Sequence, residues 1–328
     1  MSASNRSRFI PTREDGWQIL RGLLMGAADI VPGVSGGTVA LILGIYSRLV
    51  QAISRCDREC VQLVMQRRWQ AAADRCDLRF LVTLGLGIGL GVLTLGSLMH
   101  WLLEHQRQYT YAVFCGLIAG SCWLVGRTVG RWRGAETASL IAGALFALWV
   151  VRLPALQQPP ADLWYLFVCG VIAICAMILP GISGAFLLVI LGKYHELTGI
   201  IKQIPKLAVT GHDLLQVAVF AAGCVVGLLS FSRLLKWLLS QQYAITMATL
   251  TGFMLGSLYK IWPFQQDLTP ELPFKEKLFE LLPWEAIPAN LTTGITLLLM
   301  LGGLLGVILL ESVARRFVPV APAAQPSS

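Results

Sequence analysis

Charge is what this sequence has least of: Asp, Glu, Lys and Arg make up only 13% of the 328 residues, against roughly 25% in an ordinary soluble protein. That scarcity excludes a soluble globular chain, because 55% of the residues are hydrophobic and they are gathered into runs. Histidine is scarce too, and none of His100, His105, His195 and His212 stands at ligand spacing from the eight cysteines. No metal and no cofactor are therefore expected. Cys56, Cys60 and Cys76 fall in an Arg-rich loop and read as reduced cytoplasmic thiols; the other cysteines sit in apolar runs as small hydrophobes. Residues 1–15 are polar and basic with no apolar core ahead of a small-residue cleavage site, so no signal peptide is expected.

What is present is a series of uncharged stretches, at residues 80–103, 109–126, 137–151, 163–192, 214–232, 243–259 and 286–310, with two more at 22–29 and 30–47. Most approach the roughly 20 residues that cross a bilayer. The net charge of +8 points to membrane topology rather than to nucleic acid. If two of the apolar stretches dip into the membrane and return, eighteen of the 26 Lys and Arg fall on one side, among them the seven arginines from Arg48 to Arg79. If both stretches cross instead, that number falls to sixteen. The positive-inside rule favours the first arrangement, with both termini cytoplasmic.

One motif occurs twice. Asp29-Ile-Val-Pro-Gly-Val-Ser35-Gly-Gly-Thr-Val-Ala-Leu-Ile-Leu-Gly44-Ile-Tyr46 recurs as Met177-Ile-Leu-Pro-Gly-Ile-Ser183-Gly-Ala-Phe-Leu-Leu-Val-Ile-Leu-Gly192-Lys-Tyr194, an offset of 148. Downstream, Gly87, Gly91, Trp101, Gly116 and Gly120 match Gly223, Gly227, Trp237, Gly252 and Gly256 at an offset of 136. The first copy thus carries about twelve extra residues, in its Arg-rich loop. The expected fold is an all-α polytopic membrane protein of two repeats, each a re-entrant helical hairpin followed by three transmembrane helices. Residues 1–16 form a polar cytoplasmic N-terminus. Repeat 1 spans 17–153, with its hairpin at 17–53 and the Arg-rich loop at 54–79, the loop carrying amphipathic surface helices. Repeat 2 spans 154–311, with its hairpin at 163–204; residues 260–285 read as an interfacial loop and 312–328 as a disordered tail. Three crossings per repeat is an odd number, so the second repeat is inverted relative to the first. Inverted repeats place their substrate sites near the midplane, at broken helices.

A Pro-Gly turn inside an apolar run frees backbone groups that cost several kcal/mol each unless something satisfies them. Ser35 and Ser183 can cap the helix that follows, and the open turn aims N–H groups and a positive helix end inward. Such a turn binds anions. The candidate contacts are Gly33, Ser35, Gly36, Gly37 and Thr38 in one turn and Gly181, Ser183 and Gly184 in the other. Asp29, the only carboxylate of the first stretch, is a candidate proton carrier or an acceptor for turn amides, and its counterpart is Met177. Arg48 and Lys193 lie just beyond the hairpins as further candidate contacts. Arg48 is equivalent to Glu196; the two could pair with each other or with a headgroup, but read first as ordinary interfacial charges.

These segments, 26–46 and 178–184 above all, resemble the bacterial polyprenyl-phosphate transporter family, PopT-like, over nearly the whole chain from Trp17 to Arg316. The resemblance implies a flippase that returns undecaprenyl phosphate from the outer to the inner leaflet of the bacterial cytoplasmic membrane. The implied partners are the polyprenyl phosphate lipid and the bilayer, with a homo-oligomer left open and no nucleic acid. Many relatives carry Glu at Ser47 and Ser at Ala185. Proton coupling fits this picture, because inward movement of each negative charge is opposed by about 2.3 kcal/mol per 100 mV and a phosphate monoester titrates near pH 6. Two other readings remain. Opposed helix N-termini also suit a channel or exchanger for small anions. Undecaprenyl-pyrophosphate phosphatases share the plan, but their turn has an arginine after the serine. Here Gly36 and Gly184 stand there, leaving no cation for phosphoryl transfer. No catalytic residue and no enzyme activity are expected.

Overall fold

The first helix, α1 (Arg13–Asp29), starts in a reciprocal cap in which the Thr12 hydroxyl accepts the Asp15 N–H and Asp15 accepts the Thr12 N–H. The computed structural model describes residues 12–31, 34–156, 158–203, 209–269, 271 and 279–317. After α1 the chain breaks and resumes as α2 (Gly36–Ile42) and α3 (Tyr46–Ser54), which are bent by 118° to each other. Two short helices, α4 (Arg58–Met65) and α5 (Trp69–Arg75), occupy the Arg-rich loop, and three long ones follow: α6 (Leu78–His105), α7 (Arg107–Thr128) and α8 (Gly134–Arg152). The order then repeats as α9 (Leu163–Ile178), α10 (Gly184–Ile190), α11 (Tyr194–Gln203), α12 (Gly211–Gln241), α13 (Tyr243–Ser257) and α14 (Leu291–Phe317). α10 and α11 are bent by 116°. The expected loop at 260–285 contains a small antiparallel ribbon, β1 (Gln265–Asp267) with β2 (Phe279–Leu281).

This is an all-α polytopic membrane protein. Among the described residues α6, α7, α8, α12 and α14 are long and apolar enough to cross a bilayer, and they turn Leu86, Leu93, Trp149, Trp237 and Leu298 outward, as a lipid-facing surface does. The expected sixth span, α13, has only 15 residues, or about 22 Å. It is the most enclosed helix, with Met247, Ala248, Leu250 and Met254 buried. Helix α14 runs on to Phe317, past the end of its apolar run; the rest of the expected tail, 318–328, lies outside the described residues.

Four tight helix pairs hold the molecule together, each at small residues that leave no room for a Cβ. Gly22 of α1 meets Gly87 of α6, with Gly26 on Ile88 and Gly91 on Leu23, and Gly170 of α9 meets Gly223 of α12. Gly116 of α7 meets α14 at Met300, and Gly252 of α13 meets α8 at Leu140. Exchanging the equivalent helices of the two halves maps this set onto itself, since the last two pairs each join one half to the other.

Polar contacts tie the segment after each break to the start of the helix before it. At the first, the start of α1 is bound to the start of α6 by Arg79 on Asp15 at 2.5 Å, and α3 is bound there by Arg48 on Asp77 at 2.7 Å. At the second, Tyr165 in the first turn of α9 donates to the Leu191 carbonyl at 2.9 Å, and the Leu156 N–H donates to that of Ile190 at 2.8 Å. The bends after α2 and α10 turn on Gly44 and Gly192, both left-handed at φ 69° and 71°. A side chain is strained there, which explains the last glycine of each motif.

Candidate functional site

The two turns touch. Ser35 is almost wholly buried and caps α2 by accepting the Gly37 N–H at 3.1 Å. Its hydroxyl has the carbonyls of Met177 and Leu179, in the other copy of the motif, each at 3.2 Å. The wholly buried Thr38 accepts the Gly181 N–H on Oγ1 at 2.9 Å. Gly37 packs on the Ile178 carbonyl and Gly184 on that of Ala173. Gly181 takes φ 86° with its backbone against Phe253 and Met254 of α13, and Ser183 caps α10 by accepting the Phe186 N–H at 3.4 Å. Ser35, Gly36, Gly37, Thr38, Gly181, Ser183 and Gly184 thus belong to two adjoining turns, while Gly33 lies outside the described residues.

The turn amides differ from the unpaired donors that the sequence suggested. Gly36 donates to the Asp29 carboxylate at 2.6 Å, Gly37 to Ser35 and Gly181 to Thr38. A buried donor left without a partner costs about 1–3 kcal/mol, and side chains of the first motif meet that cost here. Asp29 sits at the N-terminus of α2, where an anionic ligand would sit. The chain carries its own carboxylate into the position that a phosphate oxygen could take.

Arg48 and Lys193 lie elsewhere. Arg48 stays at the rim of the first hairpin, on Asp77 and over the Phe80 ring at 4.3 Å. Lys193 is buried, with 4% of its surface exposed, and pairs with Glu196 at 2.6 Å, which also accepts from Gln216 at 2.8 Å. Arg48 and Glu196 therefore do not pair with each other, because each has a nearer partner. A cavity of about 420 Å³ at the rim is lined by Asp15, Gln18, Arg48, Asp77, Arg79 and Thr83; Arg79 hydrogen-bonds Asp15 and holds its carboxyl well below the usual range. Among the described residues no group of His, Cys, Asp or Glu is arranged to hold a metal, and all eight cysteines are free, with Cys60 and Cys76 at 3.0 Å.

A third group was not singled out in the sequence. At the other end of α6 from Arg79, Arg107 begins α7, Arg152 ends α8, and Lys260 follows α13. The signal was available: these three belong to the minority of basic residues outside the Arg-rich side.

Comparison with known proteins agrees with the motif. Residues 25–275 match the VCA0040-like family, described as undecaprenyl phosphate translocase-like. A polyprenyl-phosphate transporter of Vibrio cholerae is 41% identical over 250 residues, covering 76% of this chain and 78% of that protein. One of Staphylococcus aureus is 30% identical over 257 residues, covering 75% and 85%. No solved structure matches the chain. With more than three quarters of its length matched and the doubled Pro-Gly-x-Ser-Gly turn at its centre, the chain belongs to the undecaprenyl phosphate translocase-like family.

Proposed function

We propose that this protein moves polyprenyl phosphate from the outer to the inner leaflet of the bacterial cytoplasmic membrane, passing the headgroup between the two turns while the isoprenoid tail stays in lipid. The chain is a multi-pass membrane transporter of polyprenyl phosphate and not an enzyme. The observation that carries the passage between the turns is their contact, Thr38 with Gly181 and Ser35 with Leu179 and Met177; beside it, within the first turn, Asp29 holds Gly36. Every turn amide named there is held by a protein oxygen that a phosphate oxygen can replace, so opening the turns exposes donors and costs little once the headgroup arrives.

The returning chain ends support two re-entrant hairpins, and the exchange symmetry of the four helix pairs supports an inverted repeat. In that arrangement the Arg-rich loops and both termini are cytoplasmic and Arg107 faces the outer side. Asp29 takes up a proton when the phosphate displaces it from Gly36, and proton coupling offsets the work of carrying a negative charge inward.

The test is leaflet-resolved transport of labelled undecaprenyl phosphate by purified protein in liposomes, with an imposed pH gradient. Inward movement of the phosphate lipid that an inward proton gradient accelerates is expected. Asp29→Asn should retain binding and lose the pH dependence; full transport with unchanged pH dependence would remove the proton role. Chloride flux without lipid movement would instead identify a small-anion channel.

A further inference from the structure

The cations at the far end of the molecule are assembled around one another. Arg107 and Lys260 lie within Coulombic reach and repel each other, yet among the described residues neither is in an ion pair. Gln265 holds them together, accepting from Arg107 on its side-chain oxygen and donating from Nε2 to the Lys260 carbonyl at 3.0 Å. The Arg107 guanidinium is over the Tyr111 ring at 4.9 Å, and its Nε is buried without a hydrogen-bond partner. Asp267 attracts Arg107 only from beyond ion-pair distance. The adjoining Tyr259 carries Arg152 over its ring at 4.5 Å, which adds a third positive charge.

The position matters as much as the charge. The 28 residues of α6 separate Arg79 from Arg107 by about 40 Å, so the cluster lies at the end away from the Arg-rich loop. The Lys260 ammonium reaches over Phe186 at 4.7 Å, and Phe186 gives its N–H to Ser183 of the second turn. Two like charges held half-buried against each other are unfavourable without an anion, and a doubly charged oxyanion with several acceptor oxygens satisfies both a guanidinium and an ammonium. A carboxylate would supply only one charge. In the observed state the turn amides named above are already taken, whereas the buried Arg107 Nε has no partner.

We infer that Arg107 and Lys260 form a binding site for a phosphate monoester, a reception point from which the headgroup passes over Phe186 to the Ser183 turn. This rests on the transport reading above and adds to it the residues that gather the substrate on the side where it is collected.

The test uses the full-length protein in nanodiscs of zwitterionic lipid, with binding measured for polyprenyl phosphate, uncharged polyprenol and inorganic phosphate. Wild type should prefer polyprenyl phosphate to polyprenol by at least a hundredfold, and Arg107→Gln with Lys260→Gln should reduce that preference to within a few fold. Lys260→Gln alone should cost about tenfold with an unchanged melting temperature, and Lys260→Arg should restore it. Inorganic phosphate that binds wild type as tightly as the lipid would make this a site for the free ion and overturn the reception role. Undiminished discrimination in a folded double variant, or in Lys260→Gln should the double variant not fold, overturns the site while leaving the transport reading intact. Failure of wild type itself to discriminate overturns that reading.

Discussion

The two turns share a backbone plan and divide its chemistry unequally. In the first, Asp29, Ser35 and Thr38 provide the acceptors; in the second, the equivalent of Asp29 is Met177, and the Gly181 amide depends on Thr38 from across the interface. The halves are alike in helix pairing and different where a headgroup would pass. The repeated scaffold gives two equivalent turns, and Asp29 and Thr38 on one side alone allow one of them to hold the pair closed. The same inequality recurs at the rims, where the first hairpin is tied by half-exposed ion pairs and the second by the enclosed Lys193–Glu196 pair.

The largest effect should come from breaking the contact at its most constrained point. Gly181→Val places a branched side chain at φ 86° against the Phe253 carbonyl. A loss of about 3 kcal/mol or more is expected, visible as failure to accumulate folded protein. Next, Asp29→Ala strands the Gly36 amide and should cost about 1–3 kcal/mol, whereas Met177→Ala at the equivalent position, 41% exposed, should cost under about 1 kcal/mol. Equal losses in thermal unfolding would show that the turns are not chemically unequal. Thr38→Val removes the acceptor for Gly181 while keeping the shape, for about 1–2 kcal/mol, and Thr38→Ser should recover most of it. The smallest differences lie at the rims. Lys193→Ala leaves Glu196 with Gln216 alone and should cost more than Arg48→Ala, which opens an exposed pair of under about 1 kcal/mol.

Much of this arrangement was legible because it is written locally. The doubled turn, the serine caps and the glycine spacings at Gly116, Gly120, Gly252 and Gly256 are short-range patterns, and each marks a break or a close helix contact in the structure. Asp29 as an acceptor for a turn amide was legible too, since Gly36 is only seven residues on; the acceptor for Gly181 was not, because Thr38 and Gly181 are 143 residues apart. Arg107 and Gln265, 158 apart, were likewise invisible as a pair. Arg48 and Glu196 were linked by repeat equivalence, but equivalence gives corresponding positions, not neighbours, and each bonds within its own half. The short α13 was read as an ordinary span because its apolar run continues to Tyr259, while the helix itself ends at Ser257.

The central claim is that the headgroup passes between the two turns, so they must part. Ser35→Cys with Leu179→Cys, in a background with the native cysteines replaced, puts two thiols at the contact where the Ser35 hydroxyl is 3.2 Å from the Leu179 carbonyl. Transport of labelled undecaprenyl phosphate should cease when this pair is oxidised and return when it is reduced. Full transport by the cross-linked protein would contradict the account.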